Sequence, residues 1–250
     1  MARKRKGNPV SGWVILDKPF SLGSTPSVGR VRRLFSAQKA GHAGTLDPLA
    51  SGVVVVCTGK KTKTISEYLN DSKVYEGTIR LGSTTPSYDL ETEIDKKFKL
   101  PILNQTVLKQ IEKEFIGEQE QVPPIFSAKR INGKRAYEFA RNNEHIELKP
   151  SLITIYSLEL KIENSENLSF ICHCSKGTYI RSLANDIGFK LNSGAHLTSL
   201  RRIKSGKFTF TPGITAHAYS TKNAQFDSEF QENFVRFLPD LDVRLQLTVR

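Results

Sequence analysis

The run Val53-Val54-Val55-Val56 constrains this chain more than any other stretch. Consecutive β-branched side chains are stiff at χ1 and pack well on a pleated surface, so the run reads as a buried strand. The chain must therefore build a covered sheet. Just upstream lies Gly41-His42-Ala43-Gly44-Thr45-Leu46-Asp47-Pro48. Its glycines let the backbone fold closely, while Pro48 fixes its own φ and drives Asp47 towards an extended conformation. A carboxylate on a loop held by a rigid sheet is a common catalytic arrangement. Taken alone, Thr45-Leu46-Asp47-Pro48 reads first as a structural Asx turn.

The same reasoning predicts the other elements. Gly12 to Leu16 reads as a strand closed by Asp17-Lys18-Pro19, and Thr25-Pro26 as an N-cap with proline at the first helical position. Val28, Val31, Leu34 and Phe35 continue at helical spacing. A short helix is expected around Ile65, Tyr68 and Leu69, and a strand over Val74 to Leu81. Val107, Leu108, Ile111 and Phe115 mark an amphipathic helix. Residues 117–135 read as irregular, followed by a helix from about Ala136 to Asn142. Leu152 to Ile162 and Leu168 to Cys174 are expected to form a hairpin, and Tyr179 to Leu191 a helix. Strand-like pieces follow around Gly206, and a helix with an extended tail is expected from Phe226. Interspersed helices and hairpins define an α+β fold on a mixed, mainly antiparallel sheet flanked by helices.

Composition narrows the partners. The 250 residues carry 37 basic against 25 acidic side chains, a net charge of +12. A surface this basic favours a polyanion. The charge is concentrated early: residues 1–9 read as a flexible basic arm. No stretch approaches the ~20 apolar residues of a membrane span, and the basic N-terminus lacks the apolar segment of a secretory signal. The chain is read as cytoplasmic. Three cysteines, Cys57, Cys172 and Cys174, an odd number with two on one strand face, argue against a disulfide framework. Strand alternation sends His173 away from Cys172 and Cys174, so no metal site is expected.

Several blocks together carry more than any one of them. Gly41 to Val53, with Gly59 and Thr62-Lys63, closely resembles the signature of the TruB family, the tRNA pseudouridine-55 synthases. Trp13 to Pro19 and Val28 to Arg33 are similar to that family's N-terminal motif. Lys73-Val74-Tyr75 through Thr85 and Asp89 resembles its tyrosine motif. Val122 to Arg130, with Gly133 and Tyr137, resembles its RNA-clasping insertion. Cys174 to Ala184 with Asp186-Ile187-Gly188, and then His196 to Arg202, resemble two further blocks. The resemblance covers about residues 10–205 in order.

It implies the pseudouridine synthase fold, with a catalytic domain over 10–238, an insertion at about 117–145, and a short tail over 239–250. It also implies a monomer without an obligatory protein partner, no cofactor, and tRNA, through its T-arm, as partner; in a departure from many relatives, no full C-terminal domain of the PUA type is expected after Phe237-Leu238-Pro239. The implied reaction breaks the bond from ribose C1′ to uridine N1, turns the base and rejoins it through C5. Asp47 is the implied catalytic carboxylate, either attacking C1′ or removing a sugar proton. Arg181 is its implied ion-pair partner. Tyr75 stacks on the target base, Tyr179 lines the pocket or holds Arg181, and Leu200 packs against the base. His42 stacks within the RNA vacated when the uridine flips out.

Read from periodicity alone, Arg181 belongs on an exposed helix face, and Tyr75, Tyr179 and Leu200 in the core. Arg32, Arg33, Lys129, Arg130, Lys134, Arg135, Arg201 and Arg202 are candidates for RNA backbone contacts. The chain departs from the family pattern in the loop Phe20 to Thr25, at Lys60-Lys61 and at Thr92. The rival reading is a non-catalytic RNA-binding or tRNA-folding protein on the same scaffold.

Overall fold

A computed structural model describes residues 7–131, 133–142, 144, 146–209 and 217–220. Residues 1–6 of the basic arm, the helix expected from Phe226 and the tail over 239–250 lie outside the described residues. The chain forms two compact units, Met1–Asp71 with Arg201–Arg250, and Ser72–Leu200. The first begins with β1 (Gly12–Lys18), α1 (Ser24–Leu34), β2 (Ala40–His42) and β3 (Ala50–Thr58), then a 3₁₀ turn (Gly59–Thr64) and α2 (Ile65–Leu69). The second holds β4 (Lys73–Leu81), β5 (Ser83–Thr84), β6 (Lys96–Lys97), α3 (Gln105–Phe115), β7 (Gly117–Gln121), β8 (Arg130–Ile131) and β9 (Lys134–Arg135). It continues with α4 (Ala136–Arg141), β10 (Ser151–Ile162), β11 (Asn167–Cys174) and α5 (Ile180–Lys190). The strand β12 (Ala195–Ser205) begins in the second unit and ends in the first, which also holds β13 (Phe208–Thr209) and β14 (His217–Ser220). The α+β expectation is met, with antiparallel pairing in both units.

In the first unit, β3 is the hub, as its valines demanded. Val53 to Val56 are fully buried. β1 pairs antiparallel with β3 over its whole length, and β2 pairs with β3 through His42 opposite Val56. Alternate β3 side chains, Val53 and Val55, join Ile15, Ala43 and Phe208 in one core cluster, with Trp13, Ile65 and Tyr68 packed against it. Such burial is worth roughly 1.5–3 kcal/mol per large aliphatic side chain. Gly52 has φ +104°, and a Cβ there would collide with the Arg202 carbonyl. Only glycine lets β12 come this close.

In the second unit, β4 pairs with β11, β11 with β10, and β10 with β7, all antiparallel. The hairpin of β10 and β11 turns at Asn164, whose Oδ1 accepts from the backbone N–H of Glu166 and Asn167 at 2.9 and 3.0 Å. The helix α3 is capped by Asn104, whose side chain accepts from Val107 N–H. Cys172 and Cys174 are fully buried, whereas the His173 ring faces the other way, with Nε2 2.9 Å from Ser72 Oγ.

Three local expectations need correcting. First, α1 starts at Ser24 with Gly23 as N-cap, so Pro26 is the third helical residue. Its missing N–H still costs nothing there, because the first four helical N–H groups lack intrahelical partners. Second, residues 117–135 are not irregular throughout. Gly117–Gln121 is a strand paired with Ser151–Ile155. Its sequence, Gly-Glu-Gln-Glu-Gln, has no apolar alternation to reveal it. Third, the end of the basic arm is tied down: Asn8 bridges Ala37, with Asn8 N–H donating to Ser36 O at 2.6 Å and Gln38 N–H to Asn8 O at 3.0 Å.

Candidate active site

In the first unit, the turn between β2 and β3 carries Asp47, and it is held by hydrogen bonds to its backbone at every residue from Gly44 to Pro48. Gly44 O accepts from Arg202 Nη2 at 3.1 Å, and Thr45 O from Arg202 Nη1 at 3.3 Å. Ser24 Oγ lies 2.8 Å from both Leu46 N and Leu46 O, accepting from one and donating to the other. Asp47 O accepts from Ala50 N–H at 3.1 Å, and Pro48 O from Lys18 Nζ at 3.3 Å. Gly44 has φ +99°, a conformation that favours glycine. The Asp47 side chain is half-buried. A carboxylate mounted in this way is pre-oriented rather than searching for its position.

Two cations lie under the turn. Lys18 is fully buried and donates to Pro19 O at 2.9 Å and Leu22 O at 2.6 Å as well as to Pro48 O. Burial pulls its pKa down from 10.5 to about 8, opposed by the negative charge of Asp47. Arg202 is the other. The residue is 1 % exposed, and its Nε also donates to Val53 O at 2.7 Å. Buried and bonded to three carbonyls, Arg202 presents little surface to a phosphate, which does not support the expectation that it contacts the RNA backbone. Arg201 is committed too: both its terminal nitrogens donate to Asp17, at 3.0 and 2.9 Å.

His42 sits on β2 beside this turn. Burial, reinforced by the charge of Arg202, lowers its pKa, with Gly44 backbone acting in the opposite sense. Burial thus disfavours the imidazolium and suits the ring to stacking rather than to charge pairing. Arg32 and Arg33 are exposed at the end of α1.

In the second unit, Tyr75 is buried on β4 opposite Cys172. Tyr179 is the N-cap residue of α5. Gln121 clamps it: the Gln121 amide accepts from Tyr179 N–H at 2.8 Å and donates to Tyr179 O at 3.1 Å. Arg181, on the first turn of α5, is 3 % exposed, not on the exposed face that periodicity alone suggests. Its Nη1 donates to Ser87 O at 3.2 Å and its Nε lies 3.7 Å from Asp89 Oδ2. Asp89 in turn accepts from Glu91 N–H at 2.9 Å. Leu200 is half-buried on β12. Arg130 and Lys134 are exposed, flanking the turn of β8 and β9. Lys129 Nζ donates to Lys149 O and Ser151 Oγ, and Arg135 reaches Ala128 O.

Sequence reasoning passed over Lys18 and Gln121. The signal for Lys18 was its place between a buried strand and a proline, with no exposed face to occupy. Two departures from the family pattern are absorbed locally. Lys61 lies over the Trp13 ring at 4.1 Å, and Thr92 Oγ1 accepts from Ser87 N–H at 3.1 Å.

Comparison with known proteins places the chain in a family. Residues 32–180 match the model of the TruB family pseudouridylate synthase N-terminal domain, and residues 181–246 that of the tRNA pseudouridylate synthase B C-terminal domain. The tRNA pseudouridine synthase B of Chromohalobacter salexigens is 41% identical over 239 residues, 96% of this chain and 76% of that one. That of Bacteroides fragilis is 52% identical over 196 residues, 76% of this chain and 84% of that one. Among solved structures, a chain of a Cbf5-Nop10-Gar1 complex superposes with a TM-score of 0.62 at 29% identity, covering 80% of this chain and 50% of that one. A chain from an H/ACA RNP bound to a substrate RNA containing 2′-deoxyuridine gives 0.59 at 26% identity, covering 84% and 56%. The class is therefore that of the pseudouridylate synthases. Within it, the chain belongs to the TruB family.

Proposed function

We infer that this protein isomerises uridine to pseudouridine in tRNA, and that its target is the uridine at position 55 in the loop of the T-arm. The observation that carries this reading is Asp47, fixed by its backbone in the turn that leads into the buried strand β3, in a chain of the TruB family. Asp47 is the catalytic carboxylate. The N1–C1′ bond breaks, the base turns, and a C5–C1′ bond forms; C5 loses its proton and N1 gains one. Attack on C1′ and removal of a sugar proton both need an ionised carboxylate. His42, Tyr75, Tyr179, Arg181 and Leu200 are assigned to the flipped uridine and the RNA it leaves. Flipping costs a few kcal/mol, which the basic surface offsets.

The chain acts in the cytoplasm as a monomer with tRNA as its partner. Among the described residues, no helix is long and apolar enough to cross a membrane. The test is to incubate the protein with an unmodified tRNA transcript and map pseudouridine along it. Product at one uridine of the T-loop is expected. Product elsewhere, or bound tRNA left unmodified as by a purely RNA-binding protein, would overturn the reading.

The phosphate contacts fall to Arg32, Arg33, Lys129, Arg130, Lys134 and Arg135, since Arg201 is paired with a carboxylate and Arg202 is buried. Six such contacts predict that tRNA affinity drops roughly 10³-fold between 50 and 200 mM salt. A salt titration of the dissociation constant checks this. A flat response would remove the basic surface from the RNA interface.

A further inference from the structure

Arg202 joins two segments that flank Asp47. Its Nη atoms hold Gly44 O and Thr45 O, just before the aspartate, while its Nε holds Val53 O, on the strand just after it. One planar fork thus closes the segment 44–53 around the carboxylate. A lysine ammonium, a single point on a flexible stem, does not present these fixed directions. Arg202 is itself immobilised: its side chain is buried, and its backbone lies against Gly52, where no side chain fits. The neighbouring arginine has a separate task, since Arg201 engages Asp17.

We propose that Arg202 is a positioning residue for the isomerisation, setting the Asp47 carboxylate by fixing both ends of its turn, and that it makes no contact with RNA. The proposal rests on Asp47 being the catalytic carboxylate. Removing the fork lets the carboxylate drift, and misplacement of about 1 Å costs about 100-fold in rate. The loss then falls on the chemical step, not on tRNA binding.

The test compares wild type, Arg202→Lys, Arg202→Gln and Asp47→Asn in the full chain. Single-turnover rates of pseudouridine formation, tRNA dissociation constants and thermal unfolding are measured for each. Arg202→Lys is expected to fold, bind tRNA as wild type does and react about 100-fold more slowly, with the loss in kcat and not in KM. Arg202→Gln is expected to do the same or worse; if it does not fold, Arg202→Lys, which keeps the buried charge, decides. Wild-type rates in folded Arg202→Lys overturn the proposal, as does a loss confined to tRNA affinity. An inactive Asp47→Asn beside an unimpaired Arg202→Lys overturns the Arg202 proposal alone. A fully active Asp47→Asn overturns the assignment of Asp47, and this proposal with it.

Discussion

Replacing Asp47 by Asn is expected to slow pseudouridine formation at least about a thousandfold, ~4 kcal/mol of transition-state stabilisation, and to leave folding and tRNA affinity unchanged. The argument is geometric. The turn is held by Arg202, Ser24, Ala50 N–H and Lys18, all acting on backbone atoms of residues 44–48. These bonds all run to backbone atoms and persist with an isosteric amide, while the charge that acts on Lys18 goes with the carboxylate. What is lost is the negative charge, and with it both a nucleophile for C1′ and a base for a sugar proton. Binding should persist because the basic surface is untouched. Single-turnover kinetics beside a binding titration measure the two separately. An Asn variant that keeps even a tenth of the wild-type rate would remove Asp47 from the chemistry.

Much of this arrangement was legible from residues. The valine run placed β3, and the helices and the long hairpin followed from periodicity. These elements bury a clear apolar face, which is what a pattern can report. The strand Gly117–Gln121 was not legible, because its Glu and Gln side chains carry no alternation and its order comes from backbone pairing with β10. The start of α1 was misplaced because the hydroxyl at Ser24 bonds to Leu46, a partner distant in sequence.

The same limit governs the site. Asp47 was visible because glycines, a proline and a family motif converge on it. Arg201 and Arg202 looked alike as adjacent cations, yet one lies 1 % exposed under the turn and the other pairs with Asp17. Adjacent residues on a strand point to opposite faces, so an Arg-Arg pair seldom shares one role. A charge count sees both as solvent-facing. Only tertiary placement shows that a buried arginine is satisfied by carbonyls, the usual condition for burying such a group. Lys18 was missed for the same reason.

Lys18→Met is expected to destabilise the protein by about 2–4 kcal/mol near neutral pH, since it leaves the carbonyls of Pro19, Leu22 and Pro48 without their buried donor. The pH dependence identifies the cause. Burial lowers the folded-state pKa of Lys18 to about 8, below the ordinary 10.5. Between those values the unfolded chain holds the proton and the folded protein releases it, so the unfolded state binds more protons and wild-type stability rises with pH. This contribution is complete above the unfolded pKa and disappears as pH falls through about 8. The variant has no such group, and every other titration is common to both proteins. The stability gap between wild type and Lys18→Met should therefore be wider at pH 9.5 than at pH 7, as read from denaturant unfolding at the two values. A gap that is absent, or constant across this window, would mean that the Lys18 amine is not buried beneath the turn. A gap that opens as expected while the variant also loses activity would tie the brace to the carboxylate next to Pro48.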